Sequence, residues 1–430
     1  MSSATGPLPR SADVVVIGGG IVGSASAYFL AGRGLRVVLL EKGRIAGEQS
    51  GRNWGFVRQQ ARDPAELPLM MASNTMWRSL SGELEADVDW VQGGNLALTP
   101  DDATAERYRE WQKLGREFGL DTRVLSPREI PGIVPGLRGD WVAGMYTSSD
   151  GHADPVKATS AFARAAERRG ATIATGHAAL GLESAGGSVA GARTAAGAVR
   201  APLVVCAAGV WSRALLRTVG VNLPQHTVTE TVAMTEPVAP VTRTCVWAPD
   251  LAFRQRVDGR MVISVGGVGL VHVTLDSLRQ ARLFLPSFLR NRRFLRLRVG
   301  GPLAADAWSR LRGDGGPTFT GPDPRPYRRD VLASVAALRR SLPALGGVRV
   351  ERAWAGRIDA TPDALPVIGT VEGVSGLLVA TGLSGHGFAL GPIVGRIVAD
   401  LLTGNETEFD LAPMRLSRFA EGTYTTARIL

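Results

Sequence analysis

Six residues near the start of the chain, Gly18-Gly19-Gly20-Ile21-Val22-Gly23, have the spacing of a dinucleotide-binding turn. In such a turn Gly18 permits the tight bend, Gly20 lets the backbone approach a pyrophosphate, and Gly23 lets the helix lie close to the strand. Glu41 follows 18 residues after Gly23, where a carboxylate can accept hydrogen bonds from ribose hydroxyls. An acid here disfavours a 2′-phosphate, and therefore NADP. The set predicts a dinucleotide site.

The elements around these residues have the order that such a site needs. Residues 13–17 are an apolar, β-branched run that predicts a buried parallel strand, and residues 36–40 predict a second one. Between them, residues 21–31 predict a helix whose first amides point at the phosphates. Strand, glycine turn, helix and strand make one βαβ unit. A tightly packed βαβ unit without a ligand is the alternative interpretation.

Three later stretches favour a flavin over a nicotinamide. Residues 43–60 form a long loop rich in Gly, Ser, Arg and Asn, where a nicotinamide dehydrogenase usually enters a helix directly. The alternative for this loop is an ordinary polar surface loop. Residues 201–212 predict a strand that breaks at Gly209. Residues 377–392 repeat strand and glycine loop before a helix predicted over about 391–402, whose N-terminus suits the anionic edge of a reduced flavin.

Five motifs occur along the chain: GGGIVG with its acid, SGRNWGFVR, CAAGVWS, TPDALPVIG and ATGLSGHGF. Together they resemble those of the FAD-dependent glycine/D-amino-acid oxidase superfamily, the DAO family, with its sarcosine oxidase-like and D-amino-acid dehydrogenase-like members. The resemblance covers nearly the whole chain. It implies an α/β fold with a Rossmann-like FAD-binding domain of the glutathione-reductase type, assembled from discontinuous segments, and an α+β substrate domain with an antiparallel sheet.

The expected domain boundaries follow from the resemblance and from local pattern. The FAD-binding domain is expected over 11–85, 146–225 and 346–430, and the substrate domain over 86–145 and 226–345. Residues 227–235 alternate β-branched and polar side chains as a half-exposed strand does. Asp258-Gly259 lies between two apolar runs and predicts a hairpin.

The resemblance assigns FAD contacts to residues of all five motifs and their neighbours. Ser50, Arg52 and Asn53 carry donors suited to the pyrophosphate and the flavin ring. For Asp363 the alternative is a helix or turn cap. Covalent members carry a cysteine near the position of Gly356, so we expect non-covalent FAD. The expected FAD-contacting residues are Gly18, Gly20, Ile21, Val22, Gly23, Glu41, Lys42, Ser50, Arg52, Asn53, Trp54, Gly55, Ala178, Ala208, Gly209, Trp211, Gly356, Asp363, Gly382, Leu383, Ser384, Gly385, His386, Gly387 and Phe388.

The resemblance also implies the reaction: a C–N bond of an amine or amino acid is oxidised by hydride transfer to flavin N5, and the imine hydrolyses. The substrate class would be a D-amino, N-methyl or imino acid. Arg58 matches an arginine that holds the substrate carboxylate in sarcosine oxidase-like members, although it could instead pack beside the flavin. His386 could transfer a proton or simply hydrogen-bond the backbone or flavin. Arg254 and its neighbour Arg256 are further carboxylate-binding candidates.

Two departures from the family pattern affect substrate recognition. Ile358 stands where dehydrogenase-like members carry an arginine, with Arg357 one place earlier. Ala389 stands where sarcosine oxidase-like members carry a lysine. We therefore expect weaker or altered carboxylate recognition. Two rival functions remain open at this point: a dehydrogenase that reduces a partner or quinone, and a flavin-carrying subunit of a hetero-oligomer.

Residues 278–299 hold seven arginines and no acid, interleaved with Leu and Phe. They could dock on an acidic membrane surface or a redox partner. The favoured interpretation is a helical arm of the substrate domain with solvated arginines. Pro286 argues against one uninterrupted helix.

Composition bounds the remaining possibilities. A chain of 430 residues suggests two or three domains. The net charge of +10 permits anionic partners, but no nucleic-acid-reading motif is present, so no nucleic-acid partner is expected. Two cysteines and five scattered histidines predict neither a disulfide framework nor a metal site. A polar leader and the lack of a long apolar run indicate a cytoplasmic protein.

Overall fold

Two large β-sheets organise the chain in a computed structural model, which describes residues 8–267, 269–292, 294–300 and 323–426. Residues 301–322 of the predicted substrate domain and Arg293 of the basic segment therefore lie outside the described residues. The strands are β1 Val14–Ile17, β2 Val37–Glu41, β3 Phe56–Val57, β4 Asn95–Thr99, β5 Arg123–Leu125, β6 Ala143–Thr147, β7 Gly151–His152, β8 Thr172–Thr175, β9 Ala179–Ala185, β10 Ser188–Thr194, β11 Gly197–Arg200, β12 Leu203–Cys206, β13 His226–Pro237, β14 Cys245–Ala248, β15 Leu251–Gln255, β16 Arg260–Ser264, β17 Gly269–His272, β18 Leu295–Arg298, β19 Val350–Ala360, β20 Val367–Val371 and β21 Val374–Thr381.

Helices cover both sheets and connect their strands. The α-helices are α1 Ile21–Gly32, α2 Gln49–Arg52, α3 Leu67–Glu83, α4 Asp102–Glu117, α5 Ile130–Ile133, α6 Pro155–Arg168, α7 Ser212–Leu216, α8 Leu275–Arg279, α9 Ala281–Asn291, α10 Arg328–Ser341, α11 Gly387–Leu402 and α12 Arg418–Glu421. Short 3₁₀ turns lie at Gly209–Trp211, Arg217–Val219, Pro343–Leu345 and Ala412–Met414.

The first sheet has a parallel centre, in the order β11-β10-β21-β12-β1-β2-β8, with β20 on β21 and β9 on β10. Strand β1 pairs in parallel with β12 on one side and β2 on the other. All its residues are buried, as the unbroken apolar run predicts. Helices α1, α6 and α11 pack together over one face. The Rossmann-like fold class is therefore confirmed.

The second sheet is largely antiparallel, in the order β18-β17-β13-β16-β15-β14-β4-β6-β5, with β19 also paired to β13. The predicted hairpin at Asp258-Gly259 joins β15 to β16, and Gly259 has φ 84° in its turn. The alternating stretch at 227–235 lies inside β13. A second, antiparallel sheet agrees with the expected α+β substrate part.

The structure differs from the sequence-based predictions at the last long helix and in the basic segment. Helix α11 begins at Gly387, earlier than predicted, with Pro392 inside it. A proline this close to the N-terminus removes one intrahelical hydrogen bond, so the helix can continue through it. The basic segment is divided between α8, α9 and β18, and β18 pairs in parallel with β17 at the edge of the second sheet. It is thus an arm packed on that sheet.

Candidate active site

A cleft runs along the carboxyl ends of the parallel strands of the first sheet, the usual ligand position in such folds. Its empty volume, open solvent included, is about 1140 Å³. The predicted FAD-contacting residues that line it are Gly18, Gly20, Ile21, Val22, Glu41, Lys42, Ser50, Asn53, Ala178, Ala208, Gly209, Trp211, Leu383, Gly385, Gly387 and Phe388.

The glycine turn is shaped by close backbone approaches. Gly18 has φ 115°, and a Cβ there would lie 2.3 Å from the carbonyl oxygen of Ala207 at the end of β12. A Cβ on Gly23 would lie 1.9 Å from the carbonyl oxygen of Gly18. Gly23 does not line the cleft, so its role is the close packing of α1 on β1. No larger side chain fits at either position.

Ser50 reaches the start of α1 from the loop that follows β2. The amide of Ile21 donates a hydrogen bond to Ser50 Oγ at 2.9 Å. Ser50 thus occupies one free amide of the helix N-terminus and leaves the neighbouring turn to a ligand. Arg52 has a different role: Nε and Nη2 donate to the carbonyl oxygen of Gly47 at 3.0 and 2.8 Å. It holds the loop together and does not line the cleft.

Glu41 is fixed by the backbone at the end of β2. Its Oε2 accepts from the Gly19 amide and its Oε1 from the Gly43 amide, both at 2.7 Å. Burial raises the pKa of the Glu41 carboxyl, and these two hydrogen bonds oppose that rise. The carboxylate is therefore held rigidly against the cleft. Beside it Lys42 forms a 2.6 Å ion pair with Glu48 and covers the ring of Trp211.

Asp359, which the sequence analysis missed, lines the same cleft. Its Oδ2 accepts from the Gly382 amide at 2.7 Å and the Thr381 hydroxyl at 3.1 Å. Burial raises its pKa, against these hydrogen bonds. Gly382 itself does not line the cleft; its amide instead ties the predicted flavin loop to β19. No motif marks Asp359, because its contact depends on how β19 meets the end of β21.

The structure corrects the cofactor role predicted for Asp363. Its carboxylate is buried in a two-bond ion pair with Arg418 of α12, at 2.7 and 3.0 Å. Oδ1 also accepts from the Leu365 amide at 3.1 Å, the bond of a turn cap. With its oxygens engaged by these donors, Asp363 supports the loop, as the alternative interpretation has it.

A second cavity adjoins the cleft, and Gln49, Asn53, Gly385 and Phe388 line both. It lies beneath the second sheet, and its empty volume, open solvent included, is about 2670 Å³. Its wall is largely apolar. The predicted site residues on this cavity and not on the cleft are Arg52, Trp54, Gly55, Arg58, Gly356, Asp363, Ser384 and His386.

Arg58 lies directly after β3, whose pairing with β7 positions it at the second cavity. Its Nη1 donates to the carbonyl oxygen of Gln60 at 2.7 Å. Burial, and then the charge of Arg62, lower the pKa of Arg58 to about 9. The guanidinium group is still protonated at neutral pH, so it presents a cation to the cavity.

Arg62 and Glu66 were missed by the sequence analysis, although both line the second cavity. Arg62 is 4% exposed, its Nε donates to the Arg58 carbonyl oxygen at 3.2 Å, and its buried Nη1 has no hydrogen-bond partner among the described residues. Glu66 is 1% exposed. For Arg62 the sequence did offer a signal: it follows Arg58 by four residues. A turn in the intervening chain can bring two residues at that spacing to the same cavity.

His386 faces Glu66 across the cavity wall. Its Nδ1 lies 3.1 Å from both carboxylate oxygens of Glu66, so Nδ1 carries the proton and donates. Burial, and then Arg62, lower the pKa of His386 below its usual value. Burial raises the pKa of Glu66, but the charges of His386 and Arg62 outweigh it and lower the net value. At neutral pH the pair is a neutral imidazole on a carboxylate, with Nε2 left as an acceptor.

The structure also corrects the catalytic role predicted for Arg254. It is 2% exposed and lines neither the cleft nor the second cavity. Its Nε donates to the Trp54 carbonyl oxygen, and Nη1 lies 3.4 Å from Nδ1 of His152. It therefore holds the loop before Arg58 in place. Arg256 forms ion pairs with Asp154 and Asp258.

The two departures from the family pattern can now be located. Ile358 lines the second cavity and adds to its apolar wall. Ala389 is buried in α11, where its carbonyl oxygen accepts from Ser73 Oγ at 2.6 Å and Trp77 Nε1 at 2.9 Å. Neither position supplies a cation, so Arg58 and Arg62 are the arginines that a carboxylate can meet at this end of the cavity.

A family model described as FAD dependent oxidoreductase, DAO, matches residues 13–401. The chain belongs to this family. N-methyl-L-tryptophan oxidase of Salmonella enteritidis is 27% identical over 422 residues, 95% of this chain and 99% of that protein. Human mitochondrial sarcosine dehydrogenase is 33% identical over 226 residues, 51% of this chain but a 25% share of that longer protein. The structure of L-amino acid deaminase from Proteus myxofaciens in complex with anthranilate has a TM-score of 0.90 and 28% identity, covering 97% of this chain and 96% of that one.

Membership of this FAD-dependent family identifies the cofactor as FAD, and the cleft fits it. The glycines of the turn line the cleft without side chains, and the rigid Glu41 carboxylate lies beside them. One buried side-chain oxygen on the cleft, Glu48 Oε2, has no hydrogen-bond donor among the described residues. In the same described part of the chain, no helix is both long and apolar enough to cross a membrane.

Proposed function

We propose that this DAO-family protein oxidises the C–N bond of an amino acid or N-methyl amino acid to an imine. The adenosine and pyrophosphate of FAD would lie along the cleft, with Glu41 on the ribose. The flavin ring would lie where the cleft meets the second cavity, near Gly385 and Phe388. The substrate would occupy the second cavity. The named relatives that act on amino acids, over nearly the full chain length, support this substrate class.

One observation carries the proposal: the buried Nη1 of Arg62 lacks a hydrogen-bond partner among the described residues and lies at a cavity next to the flavin position. A buried N–H without a partner is costly, and a substrate carboxylate supplies one. Arg58 adds a second cation beside it. The anchor predicted at Arg58 is thus proposed to be a pair, with Arg62 contributing the free donor.

When bound, FAD supplies the hydride acceptor, N5, and an external oxidant later takes the electrons. The chain supplies position and proton control. The two arginines hold the carboxylate, so the α-carbon is fixed relative to the flavin position. A substrate amine must lose its extra proton before its C–H bond can give up hydride, and His386 Nε2 is a suitable acceptor because Nδ1 is committed to Glu66. Water then hydrolyses the imine.

The test is anaerobic flavin bleaching of the purified holoenzyme. The panel comprises D- and L-amino acids, N-methyl amino acids, cyclic imino acids and the corresponding simple amines. Bleaching by carboxylate-bearing substrates, and much slower bleaching by the amines, is expected. Bleaching by no member of the panel would contradict the proposal. Reoxidation in air then distinguishes an oxidase from a dehydrogenase that reduces a partner or quinone.

The rival subunit function receives less support. The second cavity carries Arg58, Arg62, Glu66 and His386, and a relative named as an oxidase matches over 95% of this chain and 99% of its own length. We also propose that the domain divisions near residues 85, 145, 225 and 345 separate the cofactor and substrate domains.

Two narrower proposals concern the surroundings of the enzyme. The 278–299 segment carries exposed leucines at 278, 285, 289 and 297 amid its arginines, and an acidic membrane surface or acidic redox partner could contact it there. Salt-sensitive sedimentation with anionic vesicles tests the membrane contact.

The two cysteines, both free and buried, support a reducing compartment such as the cytoplasm.

A further inference from the structure

Strand β13 presents one carboxyl group to the second cavity, on a face that also carries one histidine and two valines. Its alternate residues His226, Val228, Glu230 and Val232 line the cavity. Glu230 is the acid among them. In antiparallel strands, side chains at alternate positions share one face, so this arrangement follows directly from the alternation of β13.

The carboxyl group of Glu230 has no hydrogen-bond or ion-pair partner among the described residues, and burial is the sole influence on its pKa, which it raises to about 7. Glu230 is distinct from the carboxylate-binding end of the cavity, which lies near β4 and β6. In the sheet order, β13 is separated from β4 by three strands, β16, β15 and β14.

A second oxygen without a donor lies close to Glu230. Gly356 of β19 is directly opposite Glu230 in the strand register, so the two residues face the same side. A Cβ on Gly356 would lie 2.2 Å from Gln49 Oε1. That oxygen is buried and has no hydrogen-bond partner in the described structure. Two acceptors without donors thus flank Gly356 on the cavity wall.

The surrounding wall suits an alkyl or aromatic stem. Val228, Val271, Ile358, Trp247 and Phe288 line the same cavity. An ionised carboxylate in such surroundings is costly unless a cation pairs with it. A ligand that brings a positively charged nitrogen to this point would satisfy Glu230, and its N–H groups could also reach Gln49.

We propose that Glu230 determines substrate specificity, by selecting amino acids whose side chain ends in a positively charged nitrogen. This inference rests on the proposed function, because it places the substrate carboxylate at Arg58 and Arg62. The carboxylate and the distal cation would then mark the two ends of the bound molecule. The apolar wall between them would hold the stem.

The experiment uses holoenzyme and two matched ligand pairs. Aminocaproate and caproate differ by the distal ammonium and report binding through the flavin difference spectrum, without turnover. Lysine and norleucine, as D, L and N-methyl forms, report the same difference in flavin bleaching. We expect the ammonium-bearing member of each pair to be favoured by about tenfold or more, the effect of one charge-assisted hydrogen bond.

The test variant is Glu230→Gln, and the control is Glu236→Gln, the same change at the exposed end of β13. The preference should vanish in Glu230→Gln and persist in Glu236→Gln, with flavin content and melting temperature equal in both. Equal binding of aminocaproate and caproate by the wild type, binding of neither, or a preference retained in Glu230→Gln would overturn the inference. Absence of bleaching with intact aminocaproate selectivity would refute the proposed reaction alone.

Discussion

Replacing Arg62 by Met should separate carboxylate binding from the rest of catalysis. Met keeps much of the stem volume but removes the Nη1 donor, which has no protein partner in the described structure. A substrate carboxylate would lose the charge-assisted hydrogen bond from this donor, about 1.5–3 kcal/mol. That free energy corresponds to roughly 12- to 150-fold in kcat/KM. Arg62→Lys keeps the charge but loses the fork, so an intermediate loss is expected.

The assay is anaerobic stopped-flow reduction of the flavin by the best amino acid and by the amine that lacks its carboxylate. The value of kcat/KM for the amino acid should fall by nearly the full expected factor. The value for the amine should change little. Arg78→Met, on the exposed side of α3, is the matched control. Equal losses for both compounds would show that Arg62 supports the fold or the flavin instead. An unchanged rate for the amino acid would refute its role as anchor.

Four further predictions concern the cofactor, the proton acceptor and the second arginine of the carboxylate anchor. Glu41→Ala should weaken FAD retention, by about 1.5–3 kcal/mol per lost hydrogen bond, measured as flavin content after dialysis; FAD bound as tightly as in the wild type would exclude the ribose contact. Acid precipitation should leave the yellow colour in the supernatant, because Gly356 cannot form a covalent link; a yellow pellet would contradict this. Since Glu66 raises the pKa of His386, Glu66→Gln should move the acidic limb of the kcat/KM profile to lower pH, as activity falls when His386 is protonated; a limb that stays in place would remove His386 from proton transfer. Arg58→Lys should slow bleaching by amino acids, because a lysine cannot reproduce both the Gln60 contact and a fork toward the carboxylate; an unchanged rate would show that Arg58 does not contact the substrate.

The sequence was sufficient to predict which neighbouring residues meet at one end of the cleft. The glycine turn and Glu41 belong to one βαβ unit, whose geometry links residues close in the chain, so spacing alone predicts their meeting. The fold class followed for the same reason, since unbroken apolar runs mark buried parallel strands. The family resemblance extended this to the flavin loop at residues 382–388, which lies where the cleft meets the second cavity.

The polar end of the second cavity could not be predicted in this way. Glu66 meets His386 across 320 residues of chain, and neither position carries a spacing signal. Alternation placed Arg254 on one face of β15 but could not identify the Trp54 carbonyl as its neighbour. Asp363 was predicted to contact the cofactor because it lies in a family motif. In the structure its carboxylate instead forms an ion pair with Arg418, near the C-terminal end of the described chain. Such contacts depend on tertiary packing, which cannot be predicted from composition or from the hydrophobic periodicity of single strands and helices.

The position of β21 in the first sheet has a consequence for how the protein is made. It lies between β12 and β10, yet it comes from residues 374–381, long after both have been synthesised. Until the ribosome has completed β21, β10 and β12 each keep one edge without a partner strand. Unpaired strand edges are prone to aggregation. Chaperone supply and early FAD should therefore raise the yield of folded protein more than stronger expression does.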